Sequence, residues 1–164
     1  MKKFGILILL MLISANSAMY AQNTQSRRER QQEQAEKVQK MVEAQNYKFV
    51  AQRALPMSMR AVNLTSEYVM SVNKDAIIAH LPYFGRAYVA PVNSLEGGIR
   101  FESKNFSYSL ENAKRGGWTV FINIMDAERR IEMILNITTS GSASLLVNDN
   151  VRQSISFNGY IDEF

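Results

Sequence analysis

The chain has no cysteine, one histidine, one tryptophan and three prolines in 164 residues. Each scarcity excludes something. Without cysteine there is no disulfide, no thiol nucleophile, no cysteine metal site and no lipid carried on an N-terminal cysteine. A single imidazole, His80, cannot build a histidine-rich metal centre. A domain that folds outside the cytosol without disulfides needs a sizeable apolar core, and 46% hydrophobic residues can supply one. A strong excess of either charge is also missing. The net charge is +4, and setting aside Lys2 and Lys3 leaves 17 basic residues against 15 acidic ones, or +2. That balance does not point to nucleic acid.

Long apolar runs are missing too, with one exception. Phe4–Ile13 is ten apolar residues, half of the ~20 needed to span a bilayer. Lys2 and Lys3 precede it and the small, polar Ser14–Ala21 follows, the order of a cleavable export signal. The expectation is a signal over residues 1–21, with Gln22 as the new N-terminus. The protein is then exported to the periplasm or cell envelope, soluble after cleavage, with no lipid anchor and no transmembrane span.

Residues 22–46 read as a polar segment and a helix. Ser26 is a good N-cap with Glu29 three residues on, and Gln, Glu, Arg and Lys favour helix. Val38, Met41 and Val42 fall on one stripe, so the helix docks by its last turns. Too few heptad positions are apolar for a coiled coil. From Tyr47 the period changes to two. Tyr47/Phe49/Ala51, Tyr68/Met70/Val72, Ile77/Ala79/Leu81, Phe106/Tyr108/Leu110, Trp118/Val120/Ile122/Ile124, Ile131/Met133/Leu135/Ile137, Ala143/Leu145/Val147 and Ile155/Phe157/Ile161 each mark one face of a strand. Turn chemistry such as Asn73-Lys74-Asp75 and Asn148-Asp149-Asn150 separates them. The spacing predicts a mainly β fold over 47–164, an antiparallel meander barrel preceded by one N-terminal α-helix. A two-sheet sandwich is the alternative; barrel closure removes exposed edges and hides one face.

The densest local chemistry lies in Leu81–Phe101, LPYFGRAYVAPVNSLEGGIRF. Pro82, Gly85, Gly97 and Gly98 set its path, with Gly85 expected to need a positive φ. Tyr83, Phe84, Arg86 and Tyr88 supply rings and a guanidinium. The LPYFGRAYVAP run, the EGGIRF after it, and the C-terminal SGSASLLVNDNVRQSISFNGYI resemble the exported bacterial family known as domain of unknown function 4251. The resemblance covers the chain from the helix to the end. It implies a small lipocalin-like β-barrel with a signal peptide, and carries over no catalytic residue because the family has no established activity.

Tyr83, Phe84, Arg86 and Tyr88 are the candidate ligand-binding set: a guanidinium among rings could hold a carboxylate or phosphate. The competing reading makes the rings a plug at the barrel end and Arg86 a brace for loop carbonyls. His80 falls opposite the Ile77/Ala79/Leu81 face, toward solvent, with no nucleophile or orienting carboxylate to work with. Turn carboxylates such as Asp126 and Asp149 read as ordinary backbone partners. Arg115, Arg129, Arg130 and Arg152, with Lys104 and Lys114, read as a mixed surface or a weak anion patch. No metal, cofactor or nucleic acid is expected. The functions considered are a non-catalytic module binding a small apolar or anionic ligand at the barrel mouth, an envelope interaction module with a solid core that meets a protein partner through helix 26–46, and, lowest, an enzyme.

Overall fold

The computed structural model describes residues 26–88, 97–114, 116–126 and 130–164. The expected signal, Pro91, Arg115 and Arg129 lie outside the described residues. The chain divides after Gln34 into two compact units. In the first unit, residues 26–34 are helical, and all but Ser26 are exposed, as expected for a stretch with no apolar face. In the second unit, residues 35–44 are helical. Here the stripe of Val38, Met41 and Val42 is buried in the core. The helix stops two residues before the expected Asn46. Gln45 turns left-handed (φ 51), and the amides of Gln45 and Asn46 bond back to the carbonyls of Val42 and Met41, a Schellman close normally given to glycine.

Among the described residues nine strands follow: β1 (Tyr47–Pro56), β2 (Val62–Val72), β3 (Ile77–Pro82), β4 (Gly98–Ser103), β5 (Phe106–Asn112), β6 (Trp118–Ile124), β7 (Ile131–Ile137), β8 (Ser142–Asp149) and β9 (Ile155–Asp162). They form one sheet in the order β4-β3-β2-β1-β9-β8-β7-β6-β5. Every pair is antiparallel, including β1 with β9. Eight successive reversals would leave β9 parallel to β1, so one connection does not reverse the chain. It is the step from β4 to β5, consecutive strands that do not pair with each other. Residues 98–112 thus run in one direction, bent at Lys104-Asn105, with β3 on the first half and β6 on the second. Nine strands less this merger make an eight-stranded, nearly closed barrel. The expected meander barrel is present, and the bent strand is what brings the sheet's two edges together.

Alternation decides what the barrel holds. Trp118, Val120, Ile122 and Ile124 point inward, as do Ile131 to Ile137 and Ala143 to Val147 at every second position. Tyr47, Phe49, Met70, Met133, Leu145 and Phe157 are each less than 2% exposed. The interior is therefore filled by the protein's own side chains, each contributing about 1.5–3 kcal/mol by leaving water. A register shift in β1 between Ala51 and Arg53 sits opposite Gly159, where an added Cβ would run into the Val50 carbonyl oxygen. The bulge presses the two backbones together, and only glycine fits.

Candidate functional site

Four connections meet at one end of the barrel: residues 57–61 after β1, residues 83–88 after β3, the β6–β7 turn, whose Arg130 carbonyl accepts the Asn150 amide, and residues 150–154 between β8 and β9. The helix enters at the other end of β1. Tyr83 and Phe84 are half-buried against the core, while Gly85, Arg86, Ala87 and Tyr88 are exposed. The Tyr83 hydroxyl lies 2.9 Å from the Arg86 carbonyl and 3.1 Å from the Gln153 carbonyl, one donor shared by two acceptors. Ala87 makes an isolated bridge to Arg152. The amide of Gln153 returns to the Arg86 carbonyl at 3.1 Å, and the Tyr88 amide reaches the Val151 carbonyl at 2.8 Å. Arg86 thus contributes its backbone to the brace, and its guanidinium stays outside.

The brace is a different arginine. Arg152 is 8% exposed. Its Nε lies 3.4 Å from Asp149 Oδ2, its Nη1 donates to the Gly98 carbonyl at 2.9 Å, and its guanidinium carbon stands 5.1 Å from the centre of the Tyr83 ring. Asp149 Oδ1 accepts the Val151 amide at 3.1 Å. This arrangement ties the β8–β9 turn to the start of β4 and to the 83–88 segment, closing the mouth. Burial pushes the Tyr83 phenol above its ordinary range, against the smaller pull of the Gln153 hydrogen bond and the Arg152 charge. Arg152 therefore leaves the expected surface set; Lys104, Lys114 and Arg130 remain exposed.

The sequence held a signal for this pair. The inward phase of β8 runs Ala143, Leu145, Val147 and then Asp149, so continuing it by one step places a carboxylate inside, where it requires a cation. Reading Asn148-Asp149-Asn150 as turn composition concealed that phase.

The glycines divide by cause. Gly85 has no positive φ, which corrects the expectation for it. Its constraint is steric, since a Cβ would come 2.7 Å from the Tyr83 hydroxyl. Pro82 and Gly98 are the paired ends of β3 and β4 rather than turn residues. A Cβ on Gly98 would meet the Leu81 carbonyl at 2.7 Å, whereas Gly97 has open space. The positive-φ glycines among the described residues are Gly116, Gly117 and Gly141.

Elsewhere, Asp126 fastens the barrel's bent strand. Its carboxylate accepts the Ser103 hydroxyl at 2.5 Å and the amides of Lys104 and Asn105 at 3.0 and 3.1 Å. These bonds, the Ser103 one foremost, hold its carboxyl below the usual aspartate range. His80 is exposed, with its ring edge-on to Tyr68 at 5.8 Å. Among the described residues no group of three His, Asp or Glu could hold a metal, and no helix is long and apolar enough to cross a membrane. Two open depressions lie away from the mouth. One, of 370 Å3, is lined by Met41, Asn46 and Phe164 among others; the other, of 400 Å3, includes Trp118, Asn136 and Asn158.

The family model described as a domain of unknown function, DUF4251, matches residues 29–161. The chain belongs to the DUF4251 family. The match runs from Glu29 in the helix to Ile161 in β9 and includes the LPYFGRAY run. A crystal structure of a DUF4251 family protein from Bacteroides eggerthii is similar, with a TM-score of 0.58 at 15% identity, covering 79% of this chain and 87% of that one. At that identity the likeness speaks for the DUF4251 fold alone. No curated protein matches the chain.

Proposed function

We propose that this DUF4251 chain is an exported, non-catalytic module of the periplasm or cell envelope that works through its outer surface. The observation that carries this reading is the filled barrel beneath a mouth braced by Arg152, Asp149 and Tyr83. An interior packed with its own aromatic and aliphatic side chains leaves no room for the one small ligand that an eight-stranded barrel can otherwise enclose. Of the four residues considered for a ligand at the mouth, Tyr83 and Phe84 are committed to packing, and Arg86 and Tyr88 present their side chains outward. Export is supported by the Lys2-Lys3, Phe4–Ile13, Ser14–Ala21 order at the N-terminus.

Two measurements test the reading. Cell fractionation with intact-mass analysis should find the chain outside the cytosol, beginning near Gln22; an unprocessed cytosolic chain would refute export. Titration with a fluorescent fatty acid should show no uptake by the native protein. Stoichiometric uptake by the native protein would return the function to an enclosed ligand.

A further inference from the structure

We infer that the mouth end of the barrel is a docking face for an anionic lipid bilayer. This rests on the surface-acting reading above and names the partner of that surface. Met57 is 75% exposed, Met59 56% and Tyr88 68%. Large apolar side chains this open are individually unremarkable, but these three stand on two loops that are locked together. Ser58 Oγ donates to Gln153 Oε1 at 3.2 Å. The Arg86 amide reaches the same oxygen at 3.4 Å. With the Tyr88–Val151 bond, three of the four connections form one preorganised rim, so its display requires little further ordering on binding.

The three loops tied together in this way carry charge of one sign, while Asp126 of the neighbouring β6–β7 turn is held by the Ser103 hydroxyl and the Lys104 and Asn105 amides. Residues 57–61, 83–88 and 150–154 contain Arg60, Arg86 and Arg152 and no Asp or Glu. Arg152 is turned inward to Asp149. Arg60 and Arg86 are exposed and form no ion pair among the described residues. Two methionines, a tyrosine and two arginines on one face match the layering of a bilayer surface. Arginine and the tyrosine hydroxyl suit the phosphate level, and the pliable methionines suit the acyl boundary beneath. The apolar contribution is small, so binding should be reversible and should depend on the cations.

The test uses the protein as its host processes it, with the N-terminus read by intact mass. Co-sedimentation is compared on phosphatidylcholine vesicles with and without phosphatidylglycerol. The parent should bind the anionic vesicles, weakly on the neutral ones, and lose binding as salt rises. Arg60→Ala with Arg86→Ala should weaken binding roughly 30-fold, taking two cations near the surface. Met57→Ser, Met59→Ser and Tyr88→Ser together should weaken it at least about tenfold, with an unchanged melting temperature because these side chains are exposed. Absent binding by the parent, equal binding by either variant, or rim-dependent capture of a protein without vesicle binding would each overturn the proposal. Export is judged from the N-terminal mass in the same sample, so failure of that reading is seen separately from failure on vesicles.

Discussion

The Arg152 guanidinium carbon lies 5.1 Å from the centre of the Tyr83 ring, and the Tyr83 hydroxyl reaches back to the carbonyl of Gln153, the next residue in the chain after Arg152. A cation buried to this extent persists because a carboxylate, a carbonyl and a ring face meet it together. Removing one partner should therefore be worse than removing both. Arg152→Met leaves Asp149 buried without its guanidinium and should cost about 3–5 kcal/mol. Asp149→Leu combined with Arg152→Met should recover much of that loss. Urea unfolding of the three proteins decides it; a single variant as stable as the parent would mean the mouth is not braced this way.

Asp126 gives the fold an acid-sensitive fastening. Its folded pKa lies below the 3.8 of a free aspartate, chiefly through the Ser103 hydrogen bond and then the Lys104 and Asn105 amides. The stabilisation it adds is complete above that value and is lost as pH falls through the depressed folded pKa. Melting temperature measured against pH should show this loss below about pH 4, and Asp126→Asn should remove that part of the profile. An unchanged acid profile in the variant would show that the bent strand does not depend on the charge.

Tyr47 sets the opposite limit. Burial, followed by its neighbour Tyr108, raises its pKa well above 10.0. The Tyr108 phenol is raised as well, again by burial first. The two hydroxyls lie 3.4 Å apart, and Tyr108 also donates to the Val42 carbonyl at 3.0 Å. A phenol held neutral in the fold stabilises fully below its unfolded value, and that stability is lost as pH rises through the raised folded one. The protein should unfold progressively above pH ~10. Tyr47→Phe should cost about 1 kcal/mol or less at neutral pH and make the alkaline loss shallower, as followed by circular dichroism.

Adjacent glycines should respond differently to the same change. Gly98→Ala drives a Cβ to 2.7 Å from the Leu81 carbonyl oxygen and should destabilise by about 1–3 kcal/mol. Gly97→Ala meets nothing within 4 Å and should stay within about 0.5 kcal/mol of the parent. Equal melting shifts would show that the β3–β4 edge relaxes freely.

Much of this was legible in the linear pattern. Period-two alternation assigned the inward faces of Trp118–Ile124, Ile131–Ile137 and six other strands, but not of β4, which begins in the stretch broken by prolines and glycines. The late apolar stripe found the docking turns of the helix, and the face opposite Ile77 and Ala79 placed His80 outside. Those are local properties, fixed by side-chain direction along a helix or strand. The LPYFGRAY string located the barrel mouth correctly but assigned the brace to the wrong arginine. Arg86 precedes Gln153, which meets both its amide and its carbonyl, by more than sixty residues, and nothing in its neighbourhood says that its backbone rather than its guanidinium will be used.

The sequence by itself determined the strands, their buried faces and an apolar content sufficient for a core without disulfides, because burial follows from the order of side chains along the backbone. Only the tertiary structure decided that residues 98–112 form one bent strand that closes the ring, that Asp126 holds the bend, and that Arg152 seals the mouth. Each of these depends on polar groups far apart in the chain satisfying one another where water is excluded, and such a pairing is set by three-dimensional closure rather than by periodicity.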